Sequence, residues 1–235
     1  MNVTHQFVTE PHDCAYLAGR KAELHYSYAP ELSPQEYEAL MNAGCRKFGL
    51  AFFRPVCAGC QACRPIRFDV STFKPDRSQK RALKRNADLA VQIAEPICDE
   101  QRLELFRRYH EFQAGAKHWP RQGEGPLEYE FSFVQNQIPG LEISAWDGDK
   151  LLGVMLTEIT PNVVSAVYHY HEPEQRERGL GTFLILQCAE LARQIGRRWV
   201  YLGYYVKDSP SMAYKTRFGP CEVLGVDGVW RDNEN

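Results

Sequence analysis

The chain has 235 residues, 44% of them hydrophobic and 25% charged, with a formal net charge of −2. That is enough chain to bury a core and an ordinary globular composition, without the global positive field that would hold a polyanion over the whole surface. No stretch approaches the roughly 18 to 20 apolar residues of a membrane span, and MNVTHQFVTEPHDC has no basic region followed by an apolar one, so a cytoplasmic protein with no membrane partner is expected.

Eight cysteines are too dilute in this length for a secreted disulfide scaffold, and in a reducing compartment they are thiols or ligands. The first clear element begins at Ser33-Pro34-Gln35-Glu36, an N-cap serine, a proline at the first helical position and a glutamate three residues on. This predicts a helix to residue 43, with Gly44 at C′. RKFGLAFFRP and RPIRFDVSTF read as two short strands bracketing CAGCQACRP. Cys57, Cys60 and Cys63 then sit in the connecting loop, in the outline of a zinc knuckle.

FKPDRSQKRALKRNADLAVQI sets Lys74, Arg77, Lys80, Arg81, Lys84 and Arg85 against one acid, Asp76. On a helix from about 77 to 88, Arg77, Arg81 and Arg85 recur every fourth residue, as do Lys80 and Lys84, making a cationic stripe. A solvated helix face is the plain reading of such a run. Its density suits a polyanion instead, bound in a manner that weakens steeply with salt.

DEQRLELFRRYHEFQA predicts a second helix with apolar positions 103, 106, 109 and 112, and residues 116 to 128 read as a substrate-facing loop. EISAWDGDKLLGVMLTEI is a hairpin turning at Asp147 and Gly148, and NVVSAVYHYH is a third strand. Residues 180 to 195 form an apolar-faced helix, RRWVYLGYYV a buried strand, and DSPSMAYKTRFGP a capped short helix ending at Phe218-Gly219.

Arg176-x-x-Gly179-x-Gly181 stands between a strand and a helix, where glycine backbone lets N–H groups approach an anion at the positive end of the helix. The order hairpin, strand, R-x-x-G-x-G, helix, strand, Tyr214-bearing helix resembles the GNAT acyltransferase fold over residues 99 to 225. CAYLAGRKAEL, FFRPVCAGCQACRPIRFDV, FKPDRSQKRALKRNADL, GLGTFLILQCAELAR, VYLGYYV and MAYKTRFGP together resemble the bacterial aspartate/glutamate leucyltransferase branch of the arginyl-tRNA protein transferase family. ERGLGTF departs from that pattern, with Gly179 where relatives often carry serine, which moves the loop toward a CoA-binding pattern.

The resemblance implies a mixed α/β (α+β) chain, with an N-terminal Cys-containing recognition domain over 1–95 and a GNAT-like transferase domain over 96–235. It implies transfer of leucine from leucyl-tRNA to the N-terminal amine of proteins beginning with Asp or Glu, with no DNA partner. Arg77, Lys80, Arg81, Lys84 and Arg85, with Arg176, Gly179 and Gly181, would hold the tRNA end. Tyr168, Tyr170 and Tyr204, with His169, would line the cleft, and Tyr214 would protonate the leaving group. Arg20, Lys215 and Arg217 are candidates for reading the acidic side chain, which needs a cation. An activated ester requires no cofactor for transfer. Cys57, Cys60 and Cys63, completed by Cys14, are candidate ligands for a structural zinc or iron–sulfur cluster. The alternatives are a CoA-dependent N-acetyltransferase, which leaves the basic stripe and the thiols without a role, and a non-catalytic tRNA- or zinc-binding adaptor.

Overall fold

A computed structural model describes residues 1–117 and 125–233. The expected loop at 116 to 128 falls largely on residues 118–124, outside the described residues. The N-terminal part contains β1 (His5–Val8), β2 (His12–Asp13), β3 (Lys21–Ala22), β4 (Leu24–Tyr28), α1 (Pro34–Asn42), β5 (Arg46–Phe48) and β6 (Ala51–Pro55). β1, β4, β6 and β5 form an antiparallel sheet in that order. α1 begins as its sequence requires. Ser33 accepts from the Glu36 N–H, and the Glu36 side chain accepts from the Ser33 N–H, closing a capping box. Gly44, at φ +90, then turns the chain.

Next come β7 (Arg64–Asp69), α2 (Arg77–Arg85), β8 (Ala90–Ala94), α3 (Glu100–Lys117), α4 (Pro126–Tyr129) and a π-helical turn at Glu130–Val134. β9 (Gly140–Asp147), β10 (Lys150–Ile159) and β11 (Val163–His171) follow, then a 3-10 turn at Pro173–Arg178, α5 (Leu180–Gln194) and β12 (Trp199–Tyr205). A 3-10 turn at Ala213–Arg217, β13 (Cys221–Leu224) and β14 (Trp230–Asp232) complete the described elements. Eight strands pair in the order β14-β13-β7-β12-β11-β10-β9-β8.

Two expectations change here. β6 and β7 do not form a knuckle hairpin: β6 lies in the first sheet, whereas β7 is inserted between β12 and β13 in the second. The cysteine loop therefore crosses between sheets, between Pro55 and Arg64. The segment around Tyr214 is a single 3-10 turn without a side-chain cap, not a capped helix.

α5 covers one face of the large sheet. Leu180, Leu184, Cys188 and Ala192 are wholly buried there, packed with Phe73 and Leu89 from the α2 region. α3 covers the other face through Leu105, Phe106 and Tyr109, against Leu151, Val154 and Leu156. Phe112, expected on the apolar face, is 38% exposed, and Leu105 takes the inward position instead. Covered on both sides, β10 is buried from Leu151 to Glu158, which is why LLGVMLTE reads as a run rather than an alternation.

Buried charge joins the sheets. Lys47 of β5 donates to Glu158 of β10 at 2.6 Å, to the Gly49 carbonyl at 2.7 Å and to Asn136 at 2.5 Å. Both partners of the ion pair are inaccessible to solvent. Removing one partner of a dry ion pair strands the other, so Lys47→Met should lower unfolding free energy by about 3 to 5 kcal/mol. The double variant Lys47→Met/Glu158→Leu should recover most of the loss in urea melts. Equal, additive losses from the two single variants would contradict this coupling.

Candidate active site

The site originates in a mismatch between two strands. β11 and β12 run parallel and pair only at Val163–Trp199, Val164–Val200 and Ser165–Tyr201. Beyond Ser165 and Tyr201 they separate. The pairing of β12 with β7 breaks at the same point, shifting register between Tyr201 and Tyr204 around Gly203, which lies at φ +80. A cavity of about 500 Å³ opens in the gap.

Its inner walls are the diverging strands: Ala166 to His169 and His171 on one side, Leu202 to Tyr204 on the other. The first turn of α5 contributes Gly179, Leu180, Gly181 and Thr182, with Arg176 just before it. Gly179 caps α5 at φ +72, a backbone conformation costly for other residues. A Cβ on Gly181 would come within 3.2 Å of the His169 ring, so glycine lets the helix start lie directly against β11. His169 and His171 stack with ring centroids 6.1 Å apart.

α2 sits at this rim. Ala82 is the nearest neighbour of the Cβ position at Gly179, at 3.6 Å. The Arg85 guanidinium donates to the Glu177 carbonyl at 2.6 Å. Arg77, Lys80, Arg81, Lys84 and Arg85 lie along α2, and all five are exposed. The cationic stripe thus begins where the Arg176–Gly181 loop ends, a proximity that sequence separation conceals.

Of the three strand tyrosines, two line the cleft. Tyr168 does so while hydrogen-bonding His110 Nε2 at 2.8 Å, and Tyr204 does so with its hydroxyl donated to the Gly44 carbonyl at 2.8 Å. Tyr170 does not. Alternation puts it on the same face as Tyr168, but it is fully buried in the α3 core, packed against Phe106 and with its hydroxyl 2.7 Å from that of Tyr129.

Tyr214 stands at the mouth, 37% exposed, and desolvation holds its phenol above the usual tyrosine range. Lys215, 7% exposed, points inward and donates to the Tyr204 carbonyl at 2.6 Å. Burial, and then the nearby Arg46 charge, pull its pKa down to about 7. The other two candidate cations lie elsewhere. Arg217 is exposed and pairs with the α2 cap Asp76 at 3.5 Å, and Arg20 is exposed at the β2–β3 turn; neither lines the cleft.

The outer wall comes from the first sheet: Arg46, Lys47, Phe48 and Phe53. In the sequence these residues read only as strand. Arg46 is 8% exposed and Lys47 2% exposed. Two consecutive cations opening an apolar strand are the signal that either the fold or a ligand must neutralise them.

The thiols share one neighbourhood. Burial, followed by the proximity of Cys14, Cys57 and Cys60, pushes the Cys63 thiol up to about 12. Cys57 Sγ accepts from the Glu23 N–H at 3.4 Å and donates to the Glu23 carbonyl at 3.6 Å. Among the described residues no three His, Cys, Asp or Glu side chains are gathered closely enough to hold a metal ion.

Residues 12–81 match the model "Arginine-tRNA-protein transferase, N terminus", and residues 101–225 match "Arginine-tRNA-protein transferase, C terminus". The chain belongs to the arginine-tRNA-protein transferase family. Its relatives include the aspartate/glutamate leucyltransferase of Pseudomonas savastanoi pv. phaseolicola, 39% identical over 93% of this chain and 92% of that protein. The enzyme of the same name from Halorhodospira halophila is 34% identical over 96% of each. The expected aminoacyltransferase class is therefore correct. FemX shares the fold at 10% identity with a TM-score of 0.52, covering 87% of this chain and 82% of that one. The mixed α/β, GNAT-like architecture is likewise as expected. No helix among the described residues is long and apolar enough to cross a membrane.

Lys215 has a stability consequence. Its folded pKa, about 7, lies below the unfolded value of about 10.4. The unfolded chain therefore holds the extra proton above pH 7, and stability gains a contribution that grows as pH rises. Between pH 7 and about 8.5, before thiols titrate, the unfolding free energy of the native protein should rise relative to that of Lys215→Met. Parallel curves for the two proteins in pH-dependent urea melts would refute the buried, depressed lysine.

Proposed function

We propose that this cleft transfers leucine from leucyl-tRNA to the α-amine of proteins beginning with Asp or Glu, marking them for the N-degron route of degradation in the cytoplasm. Relatives named aspartate/glutamate leucyltransferase support the reaction. The observation that carries it is the docking of the cationic helix α2 on the rim of the cleft, through Arg85 and Glu177. A polyanion held along Arg77, Lys80, Arg81, Lys84 and Arg85 would have its end directed at the Arg176–Gly179–Gly181 loop. The first sheet, which supplies the opposite wall, would receive the protein substrate.

The chemistry needs little beyond positioning. The ester is already activated, and an α-amine with a pKa of about 7.7 to 8.0 is partly neutral at cytoplasmic pH. The amine nitrogen attacks the leucyl carbonyl, a C–N bond forms, and the C–O bond to the ribose breaks. The ribose oxygen takes a proton and the amine gives one up. Tyr214, kept protonated by desolvation, donates to the departing oxygen and is restored by the proton the amine loses. Juxtaposition of ester and amine supplies the rest, about 7 to 11 kcal/mol in favourable cases. No cofactor enters these steps. The thiol loop serves as a support for the cleft wall, and elemental analysis of anaerobically purified protein tests whether it carries metal.

Arg81→Glu/Arg85→Glu should weaken tRNA binding and reduce the slope of log K against log salt by about 0.7 to 0.9 for each phosphate that is no longer neutralised. An unchanged slope would remove α2 from the interface. Tyr214→Phe should slow single-turnover leucyl transfer by about 10², and a rate equal to that of the native protein would exclude Tyr214 as the acid. Modification of an Asp-initiated peptide by acetyl-CoA and not by leucyl-tRNA would overturn the reading as a whole.

A further inference from the structure

Among the described residues, two buried cations in the cleft have no carboxylate partner. Arg46 spends one donor on the Ala166 carbonyl, Nη2 to O at 3.2 Å. Lys215 spends one on the Tyr204 carbonyl at 2.6 Å. Both side chains converge on Gly203: a Cβ built there would lie 3.6 Å from Arg46 Nη2, 3.7 Å from Arg46 Nε and 3.7 Å from Lys215 Nζ. The adjacent Lys47 gives the contrast, because it is neutralised by Glu158 at 2.6 Å. No described acid lies within ion-pair distance of Arg46 or Lys215. Cys63, the acidic group closest in effect to Lys215, is held in its thiol form.

Burying a cation without a counter-charge is unfavourable, and burial already draws Lys215 toward its neutral form. The fold nevertheless aims Arg46 and Lys215 at one point inside the cleft, where an arriving carboxylate would favour the charged form of the lysine. We infer that Arg46 and Lys215 form a two-cation seat at Gly203 for the side-chain carboxylate of the acceptor protein's first residue, and that Arg46 sets the preference for Asp and Glu over their amides. The inference rests on the transferase reading and deepens it. An arginine fork can grip a carboxylate through two parallel N–H bonds, while an ammonium supplies a second, point-like charge. An Asn or Gln side chain fits a similar volume but neutralises neither cation, so the seat rejects it by leaving buried charge unmatched. Gly203 makes room for the seat, having no side chain to occupy the point of convergence.

The experiment uses the full chain and four peptides that differ only in a first residue of Asp, Glu, Asn or Gln. Leucyl transfer from leucyl-tRNA gives kcat/KM for each, and calorimetry without tRNA gives their affinities. The native protein should favour Asp and Glu in both readouts. Arg46→Gln should collapse the Asp/Asn ratio about thirtyfold or more, mostly through KM. Arg46→Lys should retain part of the ratio. Lys215→Met, which approaches the same point from another element, should lower the ratio as well, so the inference stays testable if Arg46→Gln fails to fold. A ratio that survives both substitutions, or a loss shared equally by all four peptides, overturns the seat. Preferential binding of the Asp peptide without any leucyl transfer would sink the transferase reading and leave the seat standing.

Discussion

The three-residue limit on pairing between β11 and β12 is the constraint from which the site follows. Parallel strands held in register along their length would close the gap with backbone hydrogen bonds and leave no cavity. Once they part, every group beyond Ser165 and Tyr201 must find another partner. The solutions are visible: Arg46 reaches across to the Ala166 carbonyl and Lys215 to the Tyr204 carbonyl. The backbone left over by the divergence thus fixes the position of the cations that give the cleft its charge.

Neither cation belongs to the GNAT-like meander of β9 to β11. Arg46 comes from the small sheet and Lys215 from the 3-10 turn after β12, and both would be misplaced if the sheets shifted. The Lys47–Glu158 pair, hidden from water and backed by Asn136, holds β5 against β10 next to Arg46. Alternating positions along β5 explain how adjacent cations are handled so differently. One is neutralised within the protein, and the other is delivered to the cleft.

Local signals are legible in the sequence. The Ser33–Glu36 capping box, the α5 apolar face and the hairpin at Gly148 all depend on residues within a few positions of one another, and the structure has them as read. The resemblance to a transferase family is legible because several short blocks carry it together. Sheet membership is not. Arg64–Asp69 reads as a strand, but nothing within it says that it enters the sheet between β12 and β13 rather than pairing with its neighbour β6. Facing is also underdetermined: alternation puts Tyr168 and His169 on opposite faces of β11 without saying which face meets the cleft, and both line it. A 3-10 turn sends Lys215 inward and Arg217 out to Asp76, a distinction that an α-helical reading of the segment does not make. Arg46 escapes a sequence reading because its role arises only where two sheets meet.

Gly203 also bears on how such a cleft could diversify. At φ +80 it is closed to most side chains on backbone grounds, and any side chain it did carry would grow into the point where the two cations converge. The floor of the cleft therefore cannot be retuned in place. A descendant that accepted a different first residue would have to change its walls instead, at Arg46 on one sheet or Lys215 on the other side. Those positions lie 169 residues apart in the chain, so acceptor choice could drift through two independent single substitutions while the backbone that opens the cleft stayed as it is.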